Sequence, residues 1–358
     1  MCETGGDPGA SYQAARTRLA IHDRSSRARL LVQGRAPILA LQGVLTGRMP
    51  SAPKALEGLA RARVEYSAVL TPKGRMIADL GVMWGPDPDQ EGLFFDVPAA
   101  AIGPLVEHLK RLVPPRLATV VDISADSRLA TVLGPEAPAA IAEIALGSES
   151  YATEIEGLAE GGFLQSPEGE QGGGHVATDA IRVARSGEVD TSAWDLFVPA
   201  PRFKDVWHRM KRAGAVAMSE HTWDVLRVEA GRPAYGVDMD ESTILSETGL
   251  VDRAVDHTKG CYTGQEIIVR IRDRGHVNRS LRGLIFEKGH VPKPGTDLFR
   301  DDRAVGGITS VVESPRLDAI IGLGYLHRDV AQGEKVTVGS AAGPGAEVRS
   351  LEVGWSTS

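Results

Sequence analysis

The sequence predicts an α+β protein, in which mixed or antiparallel sheets carry helices as far as about residue 278 and a small closed β-barrel follows. Three observations make that prediction. Short apolar runs at strand spacing alternate with segments of helical spacing from Leu30 to Met239. After Leu281 the chain is a series of short strands divided by Gly, Pro and Asp clusters. Between these parts lies a basic stretch, from His257 to Arg282, that holds one of only two cysteines.

In chain order, residues 1–15 are rich in Gly, Asp and Pro and are expected to be disordered, so that the first domain runs over 16–278. Leu30-Leu31-Val32 reads as a strand, and Pro37 opens a helix through Ile38, Leu41 and Leu45. Tyr66 to Leu70 and Arg75 to Trp84 pair as a hairpin about Thr71-Pro72-Lys73-Gly74, followed by a strand at Phe94 to Val97 and a helix from Ala99 to Leu112. Val120 to Leu133 offers two strands and Glu136 to Leu146 an alanine-rich helix. Glycine and glutamate then dominate 147–174, which reads as a connector; Gly172-Gly173-Gly174 lacks the strand and helix that flank a phosphate-binding loop. Ala180 to Ala184 and Asp195 to Val198 are strand-like, and Pro201 to Ala213 is an amphipathic helix burying Phe203, Val206, Trp207 and Met210. The barrel occupies 279–358, with strands at Leu281 to Phe286, Thr296 to Phe299, Val305 to Val312, Ile320 to Leu326 and Lys335 to Val338.

Composition narrows the function classes. At 358 residues and 42% hydrophobic the chain can bury a large core. No run approaches the ~18 consecutive apolar residues of a membrane span. The start of the chain, with Glu3 and Asp7, lacks the apolar segment of a secretory signal, so a cytoplasmic protein is expected. A net charge of −7 argues against a protein that coats nucleic acid. Cys2 and Cys261 form neither a disulfide framework nor a zinc pair, and the histidines, His257 and His276 included, show no metal-ligand spacing.

Cys261 lies between Gly260 and Tyr262, two residues after Lys259. Thr263 and Glu266 are spaced as a capping box, which places the thiol near the positive end of a helix. That charge and Lys259 favour a thiolate able to act as a nucleophile or to ligate a soft metal. Ile267-Ile268-Val269 would suit a strand as well. Six cations against Glu266 and Asp273 give Lys259 to Arg282 a charge of +4, which fits either an anionic ligand or a solvated basic face. RNA binding through Arg270, Arg272, Arg274 and Arg279 is disfavoured, because the stretch lacks aromatic stacking platforms.

Lys259-Gly260-Cys261-Tyr262-Thr263-Gly264-Gln265-Glu266 resembles the K-G-C-[FY]-x-G-Q-E signature of the folate-binding YgfZ-type proteins, relatives of the glycine-cleavage T-protein, an aminomethyltransferase. Asp23-x-Ser25, Leu31-x-x-Gly34, Pro72-Lys73-Gly74-Arg75, Arg227-Val228-Glu229-Ala230-Gly231, Tyr235-Gly236-Val237-Asp238-Met239 and Gly322-Leu323-Gly324-Tyr325 extend the resemblance over nearly the whole chain. It implies a tetrahydrofolate (or one-carbon derivative) cofactor, with Glu229 as the pterin clamp and Arg227, Tyr235, Tyr262, Arg270 and Arg272 around it. It also implies working roles for Cys261, Lys259 and Asp79, and service to iron–sulfur cluster assembly or repair, hence to iron–sulfur enzymes such as tRNA-modifying ones, with assembly proteins as partners. The alternative is a true aminomethyltransferase. That family carries Asp-Asp where this chain has Ala78-Asp79, and one strand leaves open which aspartate is missing.

Overall fold

The computed structural model describes residues 7–85, 90–166 and 180–351. In chain order the first part contains α1 (Pro8–Thr17), β1 (Ala20–Asp23), β2 (Ala28–Gln33), α2 (Pro37–Leu41), β3 (Lys54–Leu56), β4 (Leu59–Arg63), β5 (Glu65–Leu70), β6 (Met76–Trp84), β7 (Gly92–Val97), α3 (Ile102–Leu112), β8 (Thr119–Asp122), β9 (Ser127–Leu133) and α4 (Ala137–Ile144). It continues with α5 (Ala152–Glu156), β10 (Gly162–Gln165), β11 (Arg182–Arg185), β12 (Ala193–Pro199), α6 (Ala200–Arg212), β13 (Val216–Ala217), α7 (Glu220–Glu229), α8 (Val251–Ala254) and α9 (Gln265–Arg274). The second part is β14 (Arg279–Phe286), β15 (Asp297–Arg300), β16 (Arg303–Ser314), β17 (Ala319–His327), β18 (Lys335–Val338) and β19 (Gly345–Arg349).

Two sheets build the first part: an eight-stranded one in the order β13-β1-β9-β12-β11-β10-β4-β3, and a five-stranded one in the order β5-β6-β7-β2-β8. Their inner faces follow from register, since cross-strand partners share a face. Tyr66, Gly81 and Asp96 align across β5, β6 and β7; Phe163, Ala184 and Asp195 align across β10, β11 and β12. The sheets meet through a buried plug of Leu31, Met83, Phe94, Ile123, Leu129, Phe163, Ala184 and Phe197. Phe94 and Phe197 pack edge to face at 5.4 Å. On the outer faces, Leu105 and Leu109 of α3 cover the five-stranded sheet, and Ile141 of α4 with Phe203, Val206, Trp207 and Met210 of α6 covers the eight-stranded one.

The second part is a closed barrel, β14-β17-β16-β15-β18-β19, as the alternation of short strands and turns predicts. It packs on α7: Leu281, Val312, Ile321, Leu323 and Tyr325 share one buried cluster with Tyr12, Trp223, Val225, Leu226 and Val228.

Several local expectations are corrected. Residues 8–15 are not disordered: they form most of α1, started by Pro8 and by Asp7, whose Oδ1 accepts from Gly9 N at 3.1 Å. The buried face of α1 is Ser11, Tyr12, Ala14 and Ala15, small or polar apart from the tyrosine, so its apolar signal is weak. Residues 1–6 lie outside the described residues. The expected connector is ordered as far as Ser166, with a 3₁₀ turn at Glu149–Tyr151, then α5 and β10. Its glycines hide the fully buried Ile155, Phe163 and Leu164, and β10 sits inside the eight-stranded sheet. The rest of the connector, with Gly172-Gly173-Gly174, lies outside the described residues. The helix at Pro37 ends at Leu41, because Leu45 is drawn off to bridge Val69 on the edge strand β5.

The capping box is absent. Gly264, at φ +86°, stands at the N-cap of α9, where an added Cβ would meet Thr71 O at 2.9 Å and Leu70 Cβ at 3.0 Å. Glu266 is exposed, and Thr263 Oγ1 donates instead to Gly43 O at 3.4 Å.

Candidate functional site

Where the plug ends, the two sheets enclose a cavity of about 320 Å³. That volume lies within the roughly 300–1,000 Å³ of small-molecule sites. The hairpin β5–β6 brings Tyr66, Asp79 and Gly81, and β7 brings Asp96; β12 brings Asp195 and Phe197, and the β11–β12 turn brings Ser186, Gly187 and Glu188. Arg24 and Arg27 come from the turn between β1 and β2, Arg63 from β4, Arg185 from β11 and Arg253 from α8.

The charged groups are sorted by their partners. Arg27 Nε binds both oxygens of Asp96, at 3.0 and 2.9 Å. Asp195 Oδ1 accepts from Thr131 Oγ1 at 2.5 Å and Arg24 Nη1 at 3.2 Å, while Oδ2 takes no hydrogen bond among the described residues. Arg24 is itself fixed over the Trp223 ring at 4.2 Å. The Tyr66 hydroxyl donates to Asp79 Oδ2 at 2.7 Å, whereas Oδ1 of the same carboxylate is buried with no partner among the described residues. Burial lifts Asp79 above the ordinary carboxylate range, against the pull of Arg27 and the Tyr66 hydrogen bond. Burial raises Asp195 likewise. Burial also acts to raise Glu188, but the guanidiniums of Arg253, Arg24, Arg27 and Arg232 outweigh it and hold Glu188 below its usual value. The cavity thus sets two carboxyls raised by burial beside one held below its usual value, an arrangement suited to holding a cationic or N–H-rich ligand and exchanging a proton with it.

Of the residues nominated from sequence, Asp79 lines this cavity. Glu229, expected to clamp a pterin, lies elsewhere: it is 2% exposed and accepts from Tyr12 OH at 2.9 and 3.0 Å, Arg16 Nη2 at 2.5 Å and Ser314 Oγ at 2.5 Å. Its charge is spent on tying α1 and the barrel to α7, and it lifts the Tyr12 hydroxyl, after burial, to about 12. Arg227 belongs to the same seam, donating to Asp238 Oδ2 at 2.8 Å and Ser310 Oγ at 3.1 Å. Tyr235 and Tyr262 are buried in the core over the five-stranded sheet. The Tyr235 hydroxyl has no partner among the described residues and is raised by burial, then by the charges of Glu241 and Asp79.

The signature loop lies beyond the edge of the five-stranded sheet. Leu45 to Gly47 runs along β5, with Thr46 N donating to Ala68 O at 3.0 Å and Gly47 N to Ser67 Oγ at 2.9 Å. Lys259 Nζ then donates to Leu45 O at 2.7 Å and Gly47 O at 2.8 Å, and its burial there lowers it to about 8. Lys259 is a brace for the loop, and Cys261 beside it is exposed. Arg270 and Arg272 are exposed on α9, Arg272 paired with Asp273 at 2.7 Å. No group of His, Cys, Asp and Glu among the described residues could hold a metal ion.

Tyr66, Ser186, Glu188, Asp195 and Arg253 are among the cavity residues that sequence reasoning missed. Ser186-Gly187-Glu188 carried a usable signal, a glycine-bearing turn between two strands with a carboxylate at its tip. Asp195, within the apolar strand Ala193-Trp194-Asp195-Leu196-Phe197, carried another: a charge in a buried strand needs a reason.

A pair of sheets enclosing a cavity of carboxylates and guanidiniums, joined to a closed barrel, defines a two-part small-molecule protein. Residues 8–259 match the GCVT N-terminal domain and residues 279–350 the glycine cleavage T-protein C-terminal barrel domain, and the chain belongs to that family. It is 30% identical over 327 residues to an aminomethyltransferase of Cutibacterium acnes, covering 90% of this chain and 83% of that protein. It is 26% identical over 323 residues to one of Rippkaea orientalis, covering 90% and 82%. The crystal structure of glycine cleavage system aminomethyltransferase T from Bartonella henselae shares the fold, with a TM-score of 0.78 at 18% identity over 98% of this chain and 93% of that one. No helix among the described residues is long and apolar enough to cross a membrane.

Proposed function

We propose that the chain binds a reduced folate, tetrahydrofolate or a one-carbon derivative, in the cavity between the two sheets. The observation that carries this reading is the Asp79 carboxylate, anchored through Oδ2 and left without a partner at Oδ1. A buried acceptor in that state costs roughly 1–3 kcal/mol unless a ligand satisfies it. The donor set fits a folate. The N–H edge of a pterin finds a free carboxylate oxygen in Asp195 Oδ2, its ring finds Phe197 and Tyr66, and the carboxylated tail finds Arg63 and Arg185. Bound folate would supply the nitrogen that carries a one-carbon unit. Asp79, whose value burial raises, would give and take the proton at Oδ1 while Tyr66 holds the other oxygen. The names of the relatives support aminomethyl transfer as the activity. Calorimetric titration with tetrahydrofolate tests binding, and transfer should vanish in Asp79→Asn.

A second reading, service to iron–sulfur assembly, is favoured by one feature. Cys261 is exposed on a loop braced by Lys259 and lies apart from the cavity residues, where a partner protein can reach it. Loss of iron–sulfur enzyme activity in cells carrying Cys261→Ser, with folate binding intact, supports this reading; normal activity in those cells excludes it.

A further inference from the structure

The cavity holds a second buried polar atom with no partner among the described residues. Ser186 is 8% exposed, and its hydroxyl makes no hydrogen bond among the described residues. Most buried hydroxyls are bonded, so one that is not, on the wall of a cavity, marks either a defect or a ligand contact.

The surroundings argue for a contact. Ser186 opens the β11–β12 turn, and its N–H is fixed to Ala193 O at 3.0 Å. The next carbonyl, Gly187 O, accepts from Arg232 Nε at 3.0 Å and Arg253 Nη2 at 3.4 Å. A Cβ on Gly187 would come within 2.1 Å of Glu160 Oε1 and 2.8 Å of Arg253 Nη2, so the turn is closely packed. Glu188, held ionised by the surrounding guanidiniums, follows. The backbone that carries Ser186 is therefore set before any ligand arrives, and only the hydroxyl remains to be satisfied, by rotation about one bond.

We infer that Ser186 is a binding residue of the cavity, whose hydroxyl hydrogen-bonds a ring amide or amine of the folate while Asp79 Oδ1 takes an N–H. The inference rests on the folate reading. It differs from a structural role in a way that can be measured: with no partner in the free protein, the hydroxyl contributes nothing to folding, and its removal relieves an unsatisfied buried group.

The test is titration of the full-length chain with tetrahydrofolate, together with thermal unfolding of the free proteins. Ser186→Ala should weaken binding roughly three- to tenfold, the loss of one hydrogen bond, with a melting temperature equal to or above the parent's. Ser186→Cys, close in shape but a poor hydrogen-bond partner, should behave as the alanine variant does. Undiminished affinity in both variants would overturn the inference while leaving the folate reading standing. A lowered melting temperature in Ser186→Ala would also overturn it, by showing that the hydroxyl is used in the free protein. A parent chain that binds no reduced folate refutes the folate reading, and this inference with it.

Discussion

The Tyr66 hydroxyl and the Asp79 carboxylate are joined at 2.7 Å through one oxygen, and the other oxygen is left without a partner among the described residues. That geometry stores a cost in the free protein which a ligand can remove, and it separates stability from binding. Burial raises the folded-state value of Asp79 above that of the unfolded chain. Its contribution to stability is therefore present at low pH, below the ordinary aspartate value of about 3.9, and is lost as pH rises through the folded value. Asp79→Asn removes the charge, so at neutral pH its melting temperature should equal or exceed the parent's, with the advantage shrinking towards pH ~4. A neutral-pH melting temperature below the parent's would count against the account.

Tyr66→Phe removes the hydrogen bond that lowers Asp79 and should push the carboxyl further up. Because the hydrogen bond assists the ionised form, the acid limb of any pH profile governed by Asp79 should move to higher pH. An acid limb that stays in place would show that Tyr66 does not act on that carboxyl.

The seam between α7 and the barrel should behave as structure and nothing else. Glu229→Ala leaves Arg16, Tyr12 and Ser314 without their shared acceptor and Arg316 without an ion pair at 3.8 Å, and should cost about 3–5 kcal/mol, the usual result of breaking a buried pair. Urea unfolding measures it. A cost below about 1 kcal/mol, the range of exposed pairs, would mean that the seam is not what joins the barrel to the first part.

Cys261 is exposed, so it should be alkylated in the folded protein at a rate unaffected by denaturant below the unfolding transition. Cys261→Ser should leave the melting temperature within about 1 °C, because surface changes away from caps and networks typically cost less than ~0.5 kcal/mol. Protection of the thiol until global unfolding would contradict its placement.

Much of the fold could be read from the sequence because the period of the apolar residues was clear. Phe203, Val206, Trp207 and Met210 mark α6, and the hairpin β5–β6 is bounded by a Pro-Lys-Gly turn. Elements with a weaker pattern were missed for physical reasons. The buried face of α1 is mostly alanine and serine, and β10 is short and set among glycines. The site was less legible than the fold. Asp79 could be placed from its strand, but Asp195 comes from a strand in the other sheet, and only the packing of the sheets brings the two carboxylates to one cavity. Glu229 shows the converse: the motif points to a ligand clamp, while the partners its carboxylate takes in the structure include Tyr12 and Ser314, 217 and 85 residues away in sequence.

The most direct test is tetrahydrofolate binding measured in parallel for the parent, Asp195→Asn and Glu229→Gln, each confirmed folded at the temperature used. The account predicts that Asp195→Asn weakens binding about ten- to hundredfold, the loss of a charge-assisted hydrogen bond, while Glu229→Gln binds as the parent does. Parent-like binding by Asp195→Asn with binding lost in Glu229→Gln would place the folate outside the cavity and contradict it.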